Sequence, residues 1–294
     1  MKLLITGASS TLGKNLTTEL LKTGNIFIRL LEHHLPVKRE HCETIKGDLQ
    51  DVASLTKACS GVDTVIHLAA LTHSISVKAY FEVNETGTEN LIKACQKNKV
   101  GRFIYVSSAA ASEEGGEYGI SKLRGEEKVQ ESMLDWAILR PSEIYGPDMA
   151  EGIGKLLSWV KRFAVIPVIG NGSYFLSPVY VGDIVQAIVE VFKKDFLGKK
   201  TLNLCGPEEM TMNELIDRFA LNQNVQRKKL FLPVWLVRMG IGFLSVFKSD
   251  LACSDQIPRL LCEKDRTIKE TQTVIPYNPR NIEEGLLSFR SQGT

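Results

Sequence analysis

The chain lacks the features that would mark a metalloprotein, a nucleic-acid binder or a membrane span. Its six cysteines, at 42, 59, 95, 205, 253 and 262, form no CxxC pair, and the five histidines make no ligand cluster beside them. A metal site therefore has no support, and most of the cysteines read as small core residues in a reducing compartment. Neither sign of charge dominates: 36 basic against 34 acidic residues give a formal net charge of +2. That balance makes no electrostatic case for nucleic acid or for a membrane surface, and runs such as Arg227-Lys228-Lys229 read as solvated surface. Repeats, low-complexity tracts and long linkers are also missing. The N-terminus enters a strand directly instead of a leader, so a cytoplasmic location is expected. One apolar stretch, Leu230 to Phe247, reaches the borderline length of about 18 residues for a spanning helix. Pro233, Arg238 and several Gly or Ser positions interrupt it, which favours an amphipathic helix over a substrate pocket or a dimer surface rather than membrane attachment.

What is present points to an α/β enzyme. With 44% hydrophobic residues in 294, the chain can bury a full core as one large domain or two. Apolar runs at 2–6, 25–32, 44–46, 64–68, 103–106, 136–139 and 202–205 alternate with helical patterns, which predicts a parallel sheet covered on both faces. The first run stops at Gly7-Ala8-Ser9-Ser10-Thr11-Leu12-Gly13, and Leu12, Leu16, Leu20 and Leu21 then recur at helical spacing. A strand, a glycine-containing turn and a helix N-terminus form a place where free amides and the helix dipole can hold a pyrophosphate. Serine at 10 replaces the middle glycine of a GxxGxxG spacing and must adopt a compatible backbone angle. About 20 residues on, Glu32 ends the second strand, where an acid reads ribose hydroxyls. Glu32 favours NAD, whereas Arg29, His33, His34, Lys38 and Arg39 crowd the same region and keep NADP open. From about Tyr145 the pattern becomes irregular, with Gly152, Gly154, Gly170 and Gly172 and several prolines, which predicts a smaller lobe over the strand ends.

Tyr118 and Lys122 stand one helical turn apart, so a phenol and an ammonium share a face. A phenol titrates near ~10, and a neighbouring cation favours its ionised form, which would make Tyr118 a proton shuttle. A solvated helix face is the bland alternative. Ser107 and Ser108 end the run at 103–106, and His67 at a buried strand end reads as a hydrogen-bonded core histidine. His73 falls near the expected rim of the site.

In order along the chain stand Thr6–Gly13; Gly47-Asp48-Leu49; His67-Leu68-Ala69-Ala70; Val83-Asn84 with Gly87-Thr88 and Asn90-Leu91; Tyr105-Val106-Ser107-Ser108; the YxxxK pair; Leu139-Arg140-Pro141 with Tyr145-Gly146-Pro147; and Pro178–Asp183 with Leu202–Glu208. In these motifs the chain resembles the extended short-chain dehydrogenase/reductase family, the NAD-dependent epimerase/dehydratase group, along essentially its whole length. The resemblance implies a Rossmann doubly wound parallel sheet, with an NAD(P)-binding domain at 1–145 and a smaller C-terminal substrate-binding lobe at 146–294, from which 202–205 returns to the sheet. It implies cofactor contacts from Gly7, Ser9, Ser10, Thr11, Leu12, Gly13, Glu32, Asp48, Leu49, Leu68, Ala69, Ala70 and Pro141, and a structural or cofactor-side contact from Asn84. Ser108, Tyr118 and Lys122 would be catalytic, with Tyr118 and Lys122 also touching the cofactor and Lys122 binding the nicotinamide ribose. A homodimer is the family expectation.

Departures from the pattern narrow the reaction. Ala109, Ala110 and Ala111 follow Ser108 where the family's sugar dehydratases carry an Asp-Glu pair. Nine residues separate Ser108 from Tyr118, fewer than in typical nucleotide-sugar 4-epimerases, and Phe175 stands near a position where many members have an arginine against a nucleotide diphosphate. Three readings stay open: an epimerase or 4-keto reductase on a nucleotide sugar; a dehydrogenase for an apolar alcohol, resembling the hydroxysteroid dehydrogenase branch; and a non-catalytic cofactor-binding protein resembling the complex I accessory subunit, of which Asp255-Gln256 and Arg259-Leu260-Leu261 are reminiscent.

Overall fold

A computed structural model describes residues 1–149, 152–239 and 256–290. The strands are β1 (Lys2–Thr6), β2 (Phe27–Glu32), β3 (Cys42–Lys46), β4 (Thr64–His67), β5 (Arg102–Val106), β6 (Asp135–Pro141), β7 (Ile144–Tyr145), β8 (Val165–Ile169), β9 (Phe175–Leu176), β10 (Val179–Tyr180), β11 (Lys200–Leu204), β12 (Met210–Thr211) and β13 (Lys228–Leu232). Helices α1 (Thr11–Lys22), α2 (Val52–Ala58), α3 (Val77–Phe81), α4 (Gly87–Lys97), α5 (Gly116–Glu131), α6 (Gly152–Arg162), α7 (Val181–Phe192) and α8 (Met212–Asn222) alternate with them.

Seven strands form one parallel sheet in the order β11-β6-β5-β4-β1-β2-β3. The chain direction of winding reverses between β1 and β4, and crevices for ligands in such sheets open there, outside the carboxyl ends of the strands. Leu3, Leu4 and Ile5 are fully buried, as both faces of a parallel strand must be. Leu3 and Ile5 pack in a core under α1 and α7, while Leu4 joins Val65, Phe103 and Tyr105 in a second core under α2 and α4. Strand β11 pairs with β6, and α7 packs into the sheet core, so two elements from beyond residue 146 complete the Rossmann half. A third core, built on Ile166, Val168, Leu176, Leu215 and Phe219, belongs to the smaller lobe. Cys59, Cys95, Cys205 and Cys262 are buried free thiols.

Boundaries move where turn chemistry intervenes. The second strand begins at Phe27, two residues later than its apolar run, because Gly24 and Asn25 both take positive φ (67° and 53°) in the turn after α1. Leu230 to Leu232, expected at the start of an amphipathic helix, instead ends β13, which pairs with β8; a helical stretch follows Pro233 at 234–239. The rest of that apolar segment, 240–247, lies outside the described residues, as does Asp255. No helix among the described residues is long and apolar enough to cross a membrane.

The last described segment, 256–290, runs back over both halves. Lys264 Nζ pairs with Glu143 at 2.8 Å, Tyr277 donates its hydroxyl to the Cys205 carbonyl at 2.9 Å, and the Arg280 amide donates to Asp183 at 2.8 Å.

Arg29 does not belong with the cations near Glu32. Its guanidinium is buried between the Ala58 and Ser60 carbonyls at the end of α2 and the Glu43 carboxylate, at 2.6, 2.9 and 2.7 Å. A cation there satisfies helix-end acceptors and cannot also read a nucleotide phosphate. Arg29→Met is expected to lower the free energy of urea unfolding by about 2 kcal/mol, the scale of hydrogen bonds to a charged group. The ratio of NAD to NADP affinity, measured by titration calorimetry, should stay unchanged; a changed ratio would put Arg29 back in the nucleotide site.

Candidate active site

The turn after β1 is shaped by close approach. Gly7 has φ of 71°, and a Cβ on it would meet the Ala69 amide nitrogen at 2.6 Å, so no other residue fits without moving β4's end. Ser10 takes an ordinary extended angle, φ −68° and ψ 160°, and caps α1: its Oγ accepts from the Gly13 amide at 3.0 Å and donates to the Gly7 carbonyl at 2.8 Å. The serine thus closes the turn that a glycine would have left open. The amides of the first turn of α1, from Thr11 and Leu12, face out of the helix end, where they suit an anion. This cradle, too tight for a Cβ at Gly7 and lined by free amides, fits a dinucleotide pyrophosphate. Thr11 ties its hydroxyl to the Asp148 carbonyl at 3.1 Å.

The other expected cofactor residues lie along the same sheet edge, in differing condition. Glu32 ends β2 and accepts from the Val37 amide at 2.9 Å through one oxygen. Asp48 caps the turn at Gln50 and holds His33 at 3.2 Å, whereas Leu49 is a buried core residue whose carbonyl takes the Asn90 amide. Leu68 and Ala69 hang on Thr6 through the Thr6 carbonyl and hydroxyl, and Ala70 follows them, half-buried. Pro141 is buried at the end of β6 and accepts from the Ala109 amide at 2.8 Å, fixing the segment that carries Ser108.

His67 is a core residue. Thr88 donates its hydroxyl to the Asn84 carbonyl at 2.7 Å, so it accepts from His67 Nε2 at 3.1 Å, and Nδ1 accepts from Thr6 at 2.6 Å. Burial, with Lys122 adding to it, pushes the imidazole down to about 3 and keeps it neutral. Asn84, placed by a π turn at Glu82–Thr86, accepts from the Leu71 amide at 2.8 Å and donates to the Leu71 carbonyl at 3.0 Å and Ser121 Oγ at 2.9 Å. Both amide hydrogens are used within the protein, which favours the structural role expected for it over a cofactor contact. His73 is half-buried beside the Thr72 hydroxyl.

Tyr118 and Lys122 sit on the buried face of α5, 5% and 1% exposed. Gly119 allows this: a Cβ there would strike the Ala110 carbonyl, so its absence lets α5 lie directly on the turn after Ser108. Ser108 is buried, and its Oγ accepts from the Ala110 amide at 3.1 Å, which leaves its proton to donate. Lys122 Nζ donates to the Val106 carbonyl at 3.0 Å and lies 4.1 Å from the centre of the Tyr105 ring. Burial drives its amine down to about 7; Glu126 opposes that shift and Arg259 reinforces it. Glu126 is itself held by the Arg140 guanidinium, with Nε–Oε1 at 2.9 Å.

Arg259, named in the sequence only as part of Arg259-Leu260-Leu261, has a place beside Tyr118 that sequence reasoning did not foresee. From the helix Gln256–Leu261 it places its guanidinium carbon 4.0 Å from the centre of the Tyr118 ring. Spacing does not announce that contact, because it joins segments far apart in the chain.

A family model described as NAD dependent epimerase/dehydratase matches residues 3–205. The chain belongs to that family. A curated relative, the N-acetyl-alpha-D-glucosaminyl-diphospho-ditrans,octacis-undecaprenol 4-epimerase of Escherichia coli O157:H7, is 29% identical over 66% of this chain and 65% of that protein. Another, the ceramide reductase of Caulobacter vibrioides (strain NA1000 / CB15N), is 28% identical over 78% of this chain and 73% of that protein. The chain spans 58% and 65% of the length of two of the curated relatives it matches. Among solved structures, the UDP-glucuronic acid 4-epimerase of Bacillus cereus, in complex with UDP-glucuronic acid and NAD, shares the fold with a TM-score of 0.78. That match covers 99% of this chain and 98% of that one at 20% identity.

Within the NAD-dependent epimerase/dehydratase family, the departures now have a shape. Ala110 and Ala111 are buried in a tight turn, with the Ala111 amide on the Ser108 carbonyl at 3.0 Å, and Glu113 points outward to Arg124 at 2.9 Å. No carboxylate takes the place of the dehydratase acids. Phe175 is half exposed, and an arginine does reach its backbone: Arg266 Nη2 donates to the Phe175 carbonyl at 2.9 Å.

Lysine side chains labelled with ¹⁵N should show one amine titrating near 7 by NMR in the cofactor-free protein. Arg259→Met removes a like charge and should raise that midpoint; Glu126→Gln removes an opposing charge and should lower it. A midpoint that ignores both substitutions would mean that neither group faces Lys122.

Proposed function

We propose that the protein is an NAD-dependent oxidoreductase or epimerase that transfers hydride at a secondary alcohol or ketone of a nucleotide sugar, as a 4-epimerase or 4-keto reductase. One observation carries this reading: Tyr118 and Lys122 lie buried on α5, Gly119 between them rests on the Ala110 carbonyl two residues past Ser108, and Lys122 reaches the carbonyl that ends β5. Residues 1–145 are assigned to the cofactor and most of 146–294 to the substrate.

In this reading Ser108 donates its hydroxyl hydrogen to the substrate oxygen and holds it against Tyr118, whose phenol takes up or returns the proton at that oxygen. Lys122 holds the nicotinamide ribose hydroxyls and presents positive charge to the phenol side. The nicotinamide supplies the hydride chemistry when bound. The Gly7–Gly13 turn holds the pyrophosphate, and Glu32, with an oxygen to spare beyond the Val37 amide, reads the ribose and favours NAD over NADP. The buried alanines after Ser108 argue against elimination of water, since an acid-base pair for that step is missing at those positions.

A second reading, an apolar alcohol or ketone substrate, draws support from half-exposed Phe175 and from the likeness to a ceramide reductase. The two separate on substrate panels. Purified protein is expected to carry NAD in native mass spectrometry and to turn over a UDP- or dTDP-sugar. Turnover of long-chain keto lipids with none on sugars would transfer the assignment to the second reading.

Tyr118→Phe should lower kcat by at least about a hundredfold, the low end for loss of a general acid or base, with less than about a twofold change in NAD affinity. Unchanged turnover would remove Tyr118 from the proton path.

A further inference from the structure

The small parallel sheet of β8 and β13 has a face that the fold leaves open. Register sets Lys228 beside Val165, Leu230 beside Pro167 and Leu232 beside Ile169. Strand alternation puts these six on one face and Lys229, Ile166, Phe231 and Val168 on the other. The second face turns largely to the lobe core: Ile166 and Val168 are buried and Lys229 pairs with Asp217 of α8 at 2.7 Å, while Phe231 on that face is 50% exposed. The first turns to water and is still apolar, with Val165 46% and Leu230 52% exposed and Pro167 exposed as well. A sheet face in water ordinarily carries polar residues, and a contiguous apolar patch marks an interaction site.

The patch continues past both strand ends. Exposed Phe163 precedes β8, and after Pro233 the helical stretch 234–239 presents Trp235, 63% exposed, with Leu236 and Met239. Cations flank these segments in the chain: Lys161 and Arg162 end α6, Lys228 opens β13, and Arg238 lies beside Met239, all exposed. Among the described residues none of the four has a carboxylate partner. The near-neutral charge of the whole chain therefore hides four exposed cations without carboxylate partners along these segments.

Charge complementarity decides the occupant. A second copy of the chain, docked patch to patch about a twofold axis, would set these cations against themselves. An apolar face with a tryptophan and a basic rim instead matches the boundary between headgroups and acyl chains of an anionic bilayer, where lysine and arginine meet phosphate and the rings lie at headgroup level.

We propose that this face docks the C-terminal lobe onto an anionic lipid surface, so that the protein lies on the membrane without crossing it. The argument uses no residue of the active site and stands whether or not the substrate is a nucleotide sugar. For residues 230–239 it is an alternative to the pocket cover or dimer surface expected of the apolar segment.

Sedimentation of the full chain with vesicles tests it. The protein should pellet with phosphatidylcholine vesicles that contain phosphatidylglycerol, remain in solution with phosphatidylcholine alone, and be released by salt. Lys228→Gln and Arg238→Gln should each weaken partitioning roughly fivefold, the factor expected for one basic residue at an anionic surface. Trp235 emission should shift to the blue on the anionic vesicles, and Trp235→Phe should lose that shift. Equal recovery from both vesicle types, or binding indifferent to the three substitutions, would overturn the proposal. So would failure to bind vesicles combined with a dimer that Trp235→Ser dissociates in sedimentation velocity, since a second copy would then be the occupant. Because the substituted side chains are exposed, unfolding midpoints should match the parent, and hydride transfer on a soluble substrate reads the reaction separately.

Discussion

A parallel sheet brings the carboxyl end of every strand to one edge, and the chemistry of this protein follows from how closely other backbone can approach that edge. Two glycines set the distances. Gly7 lets the turn after β1 lie against Ala69 after β4, and Gly119 lets α5 lie against the turn after β5. Without the first contact the turn at Gly7–Gly13 would open, and without the second the helix that carries Tyr118 would stand off from the turn after Ser108. The polar groups then lock what the close approaches permit. Thr6, His67, Thr88 and Asn84 form one hydrogen-bonded chain from β1 to α4, and Asn84 carries it on to Leu71 and, through Ser121, to the carbonyl of Tyr118. A neutral histidine is required in the middle of that chain, which is what burial enforces.

Lys122 shows the opposite use of burial. Its amine has a carbonyl and an aromatic face as direct partners and no carboxylate of its own, since Glu126 is engaged by Arg140. Its folded value, about 7, lies below that of an unfolded lysine. The unfolded chain therefore holds this proton more tightly, so the charged form opposes folding below about 7, and stability from this group rises as pH climbs from there to the ordinary lysine range. Strain of this kind is tolerated where function needs a group poised near neutrality.

The parts of the fold written in contiguous sequence were legible. Apolar runs bounded by turns located the central strands, and the strand-glycine-helix pattern located the turn between β1 and α1, because periodicity and glycine sterics are local. What local pattern could not give was pairing between distant segments. Strand β13 exists because β8 offers it an edge, so Leu230 to Leu232 read as the start of a helix. Arg29, counted among the nucleotide-side cations, belongs to the end of α2 because three acceptors from other elements converge on it. In the candidate site, the YxxxK spacing put Tyr118 and Lys122 on one helix face, whereas the contact of Arg259 with Tyr118 could be found only once residues 256–290 were folded over α5. Leu49 and Asn84 were placed near the cofactor by position in a motif; the structure engages both in packing or hydrogen bonding within the protein, a distinction that a one-dimensional motif does not carry.

The return of residues 256–290 across both halves has a meaning for how the protein is made. The nucleotide turn, the seven-stranded sheet up to β6 and the helix bearing Tyr118 are synthesised first, and domains begin to fold in that order as they leave the ribosome. The partner of half-buried Glu143 and the cation over Tyr118 are both supplied by residues 256–290. A nascent chain can therefore form the turn at Gly7–Gly13 well before Tyr118 receives the cation that lies over its ring.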